Sequence, residues 1–103
     1  MTQTLSNEQQ AKIFAALSDL TRLRVVELLA KCDEMSGMEI AQKLEISLAL
    51  FCHHSKILVD VGLVKKRKQG LLKYHSLNRQ VLEDCVRRLE MSIASVETSR
   101  QIL

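Results

Sequence analysis

The sequence predicts a mainly α-helical domain with a small two-stranded β wing, arranged as a winged helix-turn-helix. Apolar residues make up 47% of the chain but aromatic residues only 3%, and proline is absent, which favours long helices around an aliphatic core. The periodicity changes from helical to alternating after Gly62 and returns to helical after Asn78. We therefore expect four helices, two strands and a fifth helix in one domain spanning residues 1–103, with residues 1–6 and 100–103 disordered.

Two helices are predicted at the N-terminus. The Ser6-x-x-Gln9 pattern is a capping box, and apolar residues then recur at helical spacing, which gives a first helix over residues 7–17. Asp19 is a good N-cap for a second helix that ends near Lys31. These two helices supply much of the expected core.

The next two helices form the predicted helix-turn-helix. A short third helix runs from the Ser36-x-x-Glu39 capping box to about Glu45. Ser47 begins a longer fourth helix that ends near Val61, before Gly62 in the left-handed position expected after a helix. The residues of the fourth helix expected to face inward are Leu50, Phe51, Ile57, Leu58 and Val61.

A wing and a long final helix complete the predicted domain. Residues 63–68 and 71–77 are predicted to be two strands joined by a Gln69-Gly70 turn, and Asn78 caps the last helix. The apolar stripe of this helix is longer than a lone domain needs, so we expect a homodimer that packs through the first and fifth helices. The stripe consists of Val81, Leu82, Cys85, Val86, Leu89, Ile93 and Val96.

The distribution of charge predicts a polyanionic partner. Residues 46–79 carry seven basic residues and one acid, or +6, whereas the rest carries eight basic and eleven acidic residues, or −3. A basic segment on a mildly acidic body is typical of a protein that lays one face on nucleic acid. The three cysteines have no paired C-x-x-C spacing, and no apolar run is long enough to span a bilayer, so we expect a cytoplasmic protein without a membrane role.

Two groups of residues are predicted to contact double-stranded DNA. The first is the outward face of the fourth helix near its start, and the second is the basic wing. On the strands, Lys66 with Lys68, or Lys65 with Arg67, would contact phosphate together with Lys73, because neighbouring residues point to opposite faces. The helix group is Ser47, Leu48, Ala49, Cys52, His53 and Lys56, and the wing group is Lys65, Lys66, Arg67, Lys68 and Lys73.

The helix group is unusually apolar for a surface that reads bases. Leu48 and Ala49 offer only contacts with thymine methyl groups and shape. Leu48 alternatively packs against the third helix. His53 is expected to point toward the DNA backbone, and His54, about 100° further round, to pack inward.

The order of motifs resembles that of the ArsR/SmtB repressors. The run from Phe14 to Arg24, FAALSDLTRLR, resembles the opening signature of that family, with Leu20 where the family usually has proline. Further similarity lies in Ile40-Ala41, in residues 52–64 and in Arg67-x-x-Gly70 to Tyr74. The resemblance implies a dimeric repressor whose recognition helices enter successive major grooves of a pseudo-palindromic operator, with half-sites roughly 34 Å apart, and which an inducer releases.

The metal sites common in such repressors are missing from this sequence. The stretch Met35 to Glu39 contains no cysteine and the final helix no histidine, and the adjacent residues Cys52, His53 and His54 cannot converge on one ion. We therefore expect neither a metal nor another cofactor. Cys32 and Cys85 form a two-thiol redox pair in one interpretation and are small buried hydrophobes in the other, whereas Cys52 would disturb the DNA face if oxidised.

Two alternatives to DNA binding are an enzyme and a protein-interaction module. An enzyme would need Cys52 with His53 or His54 as nucleophile and base, but adjacent helical residues diverge and no orienting acid is visible, so we predict no enzyme. A winged-helix module that binds only proteins is the second alternative, favoured by the apolar recognition face and opposed by the +6 segment.

Overall fold

The computed structural model describes residues 5–102, and their side chains from residue 5 to residue 95. The predicted winged helix-turn-helix is confirmed. Of the ends expected to be disordered, residues 1–4 and 103 lie outside the described chain, whereas Ser6 caps the first helix and the last helix continues to Ile102. The elements in order are α1 (Asn7–Leu17), α2 (Leu20–Leu29), β1 (Met35–Ser36), α3 (Gly37–Lys43), α4 (Leu48–Asp60), β2 (Val64–Gln69), β3 (Leu72–Leu77) and α5 (Arg79–Ile102).

Four helices begin at the residues that the sequence predicts. At each N-cap a side-chain oxygen accepts a hydrogen bond from the backbone N–H three residues later, which satisfies one of the free donors of the first turn. At Ser6 the Gln9 side chain also accepts from the cap N–H, so the predicted capping box is complete. The four N-caps are Ser6, Asp19, Ser36 and Ser47.

The sheet has three strands where two were predicted. β1 pairs antiparallel with β3, through Met35 opposite His75 and Ser36 opposite Tyr74, and the strand order is β1-β3-β2. The sequence predicts Ser36 as the cap of the third helix and gives no strand at this position. Ser36 has an extended backbone, with φ −69° and ψ 150°, which suits both a cap and a strand, and two residues are too few to show a period.

The core lies where α2, α3 and α4 meet the base of the wing. It is aliphatic apart from Phe51, and it includes Ile13, Val25, Val26, Leu29, Ile40, Phe51, Leu58, Leu63 and Cys85. The prediction that Leu50 faces inward is wrong, since its side chain is 42% exposed. The inward stripe of α4 also includes His54, which was expected to pack inward, and Ser55, a polar residue that an apolar pattern does not reveal.

Two helices of the motif end in the same hydrogen-bonded turn. At the end of α4, Gly62 has φ 82°, and the N–H groups of Gly62 and Leu63 donate to the carbonyls of Val59 and Leu58. This is the Schellman arrangement, which needs a left-handed residue directly after the C-cap. The sequence analysis predicted this role for Gly62.

The turn between α3 and α4 repeats that arrangement with glutamate in place of glycine. Glu45 has φ 56°, its N–H donates to the Gln42 carbonyl, and the Ile46 N–H donates to the Ala41 carbonyl. A left-handed backbone costs a residue with a Cβ atom about 1–2 kcal/mol, since Cβ approaches the following carbonyl oxygen. The turn that sets the start of α4 therefore stores strain.

We expect Glu45→Gly to raise the free energy of unfolding by up to about 1 kcal/mol, because the strain relieved exceeds the added chain entropy of glycine. Gly62→Ala is the matched opposite change, and it should lower the free energy of unfolding by about 1 kcal/mol. Urea denaturation followed by circular dichroism measures both. A loss of stability in Glu45→Gly would contradict the assignment of strain to this turn.

Candidate nucleic-acid interface

The predicted helix group lies together on the exposed face of α4 at its N-terminal end. Ala49, Cys52, His53 and Lys56 are exposed, and Leu48 is 47% exposed, so Leu48 is not buried against α3. Ser47 Oγ accepts from the Leu50 N–H at 3.0 Å as the N-cap.

The strand register separates the wing residues into two faces. Lys66 lies opposite His75 and Lys68 opposite Lys73, on the same face as the buried pair Val64 and Leu77. Lys65 and Arg67 lie on the other face. Of the two alternatives from the sequence, Lys66 and Lys68 therefore share a face with Lys73.

Arg67 is held on the outer face by several partners. Its Nε donates to Glu34 Oε2 at 2.8 Å, Nη1 donates to Gln69 Oε1 at 2.6 Å, and Nη2 donates to the other Glu34 oxygen. The guanidinium also lies 4.6 Å from the centroid of the Tyr74 ring. The hydrogen bonds from Arg67 lower the pKa of Glu34. Sequence reasoning missed Glu34, because its partner is 33 residues away and no local pattern joins them.

A partly buried polar contact joins α4 to the first two helices. Arg22 in α2 donates from Nε to the Ala16 carbonyl at 2.7 Å, and its Nη1 lies 3.2 Å from Nδ1 of His54. A guanidinium only donates hydrogen bonds, so Nδ1 of His54 is the acceptor in this contact. The predicted inward position of His54 is found, since the residue is 7% exposed.

Asp19, the N-cap of α2, lies beside Arg22 and His54. Its carboxylate accepts from the Arg22 N–H at 3.1 Å, and this hydrogen bond lowers the pKa of Asp19. Asp19 Oδ2 lies 3.8 Å from His54 Nδ1, which is beyond hydrogen-bond distance. Asp19 therefore serves the helix terminus, and Arg22 supplies the contact to α4.

The two cysteines considered for redox chemistry are shielded to different degrees. Cys85 is fully buried in the core, and burial raises the pKa of its thiol. Cys32 is half-buried, with Sγ 3.8 Å from the Leu28 carbonyl. A raised pKa disfavours the thiolate, which is the reactive form of cysteine.

The described residues lack two features, a metal-binding cluster and a membrane-spanning helix. Among them, no three His, Cys, Asp or Glu side chains lie close enough together to hold a metal ion. Within the same part of the chain, no helix has the length and apolar character needed to cross a membrane.

Comparison with known proteins gives consistent matches. Residues 19–66 match the family model described as bacterial regulatory protein, arsR family. The chain is 32% identical over 97 residues to an arsenical resistance operon repressor of Staphylococcus aureus, a match that covers 94% of this chain and 88% of the repressor. It is 36% identical over 78 residues to a cadmium resistance transcriptional regulatory protein CadC homolog of the same species, covering 76% of this chain and 64% of that protein.

Solved structures share the fold. The crystal structure of an ArsR family transcriptional regulator superposes with a TM-score of 0.79 at 25% identity, covering 92% of this chain and 97% of that one. A homodimeric winged helix-turn-helix DNA-binding domain from Mycobacterium bovis, solved by NMR, gives a TM-score of 0.70 at 22% identity and covers 94% of this chain and 95% of its own.

The contact of Arg22 with α4 can be tested by Arg22→Met, which keeps the side-chain length and removes every donor. We expect the free energy of unfolding to fall by about 1–3 kcal/mol, because the Ala16 carbonyl and His54 Nδ1 lose their donor in a half-buried place. Arg24→Met, at an exposed position of the same helix, should change it by less than about 0.5 kcal/mol. Equal effects in urea denaturation would contradict the role given to Arg22.

Proposed function

Because the chain belongs to the ArsR family of bacterial regulatory proteins, we propose that it is a homodimeric repressor that binds a pseudo-palindromic DNA operator in the cytoplasm. The names of similar proteins support this proposal, since several are transcriptional repressors and one solved relative is a homodimeric DNA-binding domain. The proposal assigns no catalytic role to any residue.

One observation carries the proposal. The exposed start of α4 and the lysine face of the wing flank the same cleft, so a single surface offers both a helix for the major groove and cations for phosphate. On this surface we assign phosphate contacts to Lys66, Lys68 and Lys73. Arg67 is assigned a structural role instead, since Glu34, Gln69 and Tyr74 already engage it.

We assign base reading to the exposed side chains near the start of α4. Leu48 and Ala49 can contact thymine methyl groups, and His53 and Lys56 can donate hydrogen bonds. Lys56 is 3.3 Å from Asp60 and must leave that exposed pair to reach DNA, at small cost. With few bidentate donors available, we assign a large share of specificity to the shape of the operator.

The proposed dimer uses the apolar stripe of α5. Val86, Leu89 and Ile93 follow one another at helical spacing and are 41%, 50% and 57% exposed. α1 lies beside this stripe, since Gln10 Nε2 donates to the Cys85 carbonyl at 3.1 Å and Arg88 donates to the Leu5 carbonyl. Val96, the last member of the predicted stripe, lies outside the described side chains. A second copy of the chain would cover the exposed stripe.

We further propose that an effector or a thiol modification releases the protein from its operator. The burial of Cys85 and its raised pKa favour an effector over a redox pair of Cys32 and Cys85. Cys32→Ser and Cys85→Ser variants test the Cys32–Cys85 pair, because that switch requires both sulfur atoms, whereas an effector acts on the variants as on the wild type.

DNA binding can be tested by fluorescence anisotropy with a duplex from the upstream region of the protein's own gene and a shuffled duplex of equal composition. We expect tighter binding to the former. Lys66→Ala and Lys73→Ala should each reduce the slope of log K against log salt by about 1.8, since a dimer loses two phosphate contacts at about 0.9 each.

Lys12→Ala is the control for these variants, because Lys12 is exposed on α1, outside the +6 segment. Its slope should equal that of the wild type. Absence of binding to either duplex at low salt would instead favour the protein-interaction module, with the apolar start of α4 as its contact surface.

The dimer can be tested separately by analytical ultracentrifugation. Leu89→Glu places a charge in the middle of the stripe, so we expect the dissociation constant to rise at least about 100-fold, because a buried unpaired carboxylate costs several kcal/mol. Met91→Glu is the matched control, since Met91 is 64% exposed and about 200° round the helix from Leu89. Equal dissociation of both variants would exclude the stripe as the interface.

A further inference from the structure

A cleft separates the wing from the helix-turn-helix. It has a volume of about 600 Å³ and lies between the first turn of α3, one face of α4 and the β2–β3 hairpin; we call it the wing cleft. This volume is in the range of small-molecule sites, which span roughly 300–1,000 Å³ and are mostly apolar. Met38, Leu48, Phe51 and Leu72 supply apolar lining.

Two polar atoms at the floor of the wing cleft have no hydrogen-bond partner. They are Ser55 Oγ and His75 Nδ1, on residues that are 4% and 3% exposed and that both line the cleft. Buried polar atoms nearly always have a partner, and leaving one unpaired costs about 1–3 kcal/mol. A ligand with an acceptor group on this floor could accept a hydrogen bond from the Ser55 hydroxyl and remove that part of the cost.

The charges around the wing cleft favour an anion. Lys56, Lys66 and Lys73 line it together with one acid, Asp60, which lies 3.3 Å from Lys56. Neither Lys66 nor Lys73 has an ion pair among the described residues. His75 adds no positive charge at neutral pH, because burial and the two neighbouring lysines, Lys66 and Lys73, lower its pKa. The uncompensated charge therefore comes from lysines at the rim, above the apolar lining.

From these three observations we propose that the wing cleft binds a small organic anion: a carboxylate attached to an aromatic or branched aliphatic body. The carboxylate accepts hydrogen bonds from Ser55, Lys66 and Lys73. The apolar body lies against Met38, Leu48 and Phe51. Binding itself does not depend on the function proposed above.

The consequence for DNA does rest on that proposed function. Five of the residues predicted to contact DNA also line the wing cleft, so the anion and DNA compete for the same lysines and the same face of α4. These residues are Leu48, Cys52, Lys56, Lys66 and Lys73. The bound anion would thus act as the effector that releases the operator.

Binding is tested without DNA by isothermal titration of the whole protein with 2-naphthoate, indole-3-acetate and 4-methylpentanoate, with 2-naphthamide as an uncharged control. We expect at least one acid to bind once per protomer, and 2-naphthamide to bind at least about tenfold more weakly than 2-naphthoate. Absence of binding by all three acids at millimolar concentration would overturn the proposal.

Variants locate the site. Lys66→Ala should weaken binding about threefold to fivefold, whereas Lys65→Ala, one residue away on the opposite face of β2, should leave it unchanged. Ser55→Ala should weaken binding at least about threefold and leave the stability of the free protein equal or higher, because it removes an unsatisfied hydroxyl. Equal binding by the wild type and Ser55→Ala, or a loss in Lys65→Ala that matches Lys66→Ala, would overturn the site.

A competition assay with DNA separates this inference from the proposed function. An acid that binds the protein should displace the operator duplex from the wild type, and a higher concentration should be needed for Ser55→Ala, whose altered side chain is buried. If the acid binds but no DNA does, the wing cleft stands and the proposed function falls. If DNA binds and no acid does, the reverse holds.

Discussion

Arg22 connects three helices through hydrogen bonds to two acceptors, the Ala16 carbonyl near the end of α1 and Nδ1 of His54 in α4. α4 carries much of the candidate DNA surface, and this guanidinium joins α4 to the first two helices in addition to the core packing of Phe51 and Leu58. The arrangement needs Asp19 as well, because the cap of α2 fixes the backbone from which Arg22 extends. The Asp-x-x-Arg spacing in the sequence thus supports a contact with His54, 32 residues further along the chain.

Local chemistry in the sequence predicted most of the fold. Capping side chains, breaks in periodicity and Gly62 are signals within a few residues of one another, and the helix starts follow them. What was missed depends on distant partners. β1 exists only because β3 lies beside it, and Glu34 matters only because the fold brings it to Arg67. The exposure of Leu50 also depends on the fold, since helical spacing alone placed it on the inward face.

The same distinction applies to the candidate DNA surface. Composition and charge located it between residues 46 and 79, but only the strand register shows which lysines share a face. The sequence could not distinguish Lys66 from Lys65, because neighbouring residues of a run of four cations look alike until the pleat is fixed. The cleft beneath Lys66 is likewise formed by segments far apart in the chain, so no local motif indicated it.

The short strand β1 also bears on the order in which the chain folds. The β2–β3 hairpin pairs residues that are 3 to 13 positions apart, whereas β1 pairs Met35 with His75, a separation of 40 residues. Closing so long a loop is entropically costly unless the intervening helices have already shortened it. Formation of the two β1–β3 residue pairs therefore depends on the packing of α3 and α4, which brings the two strands together.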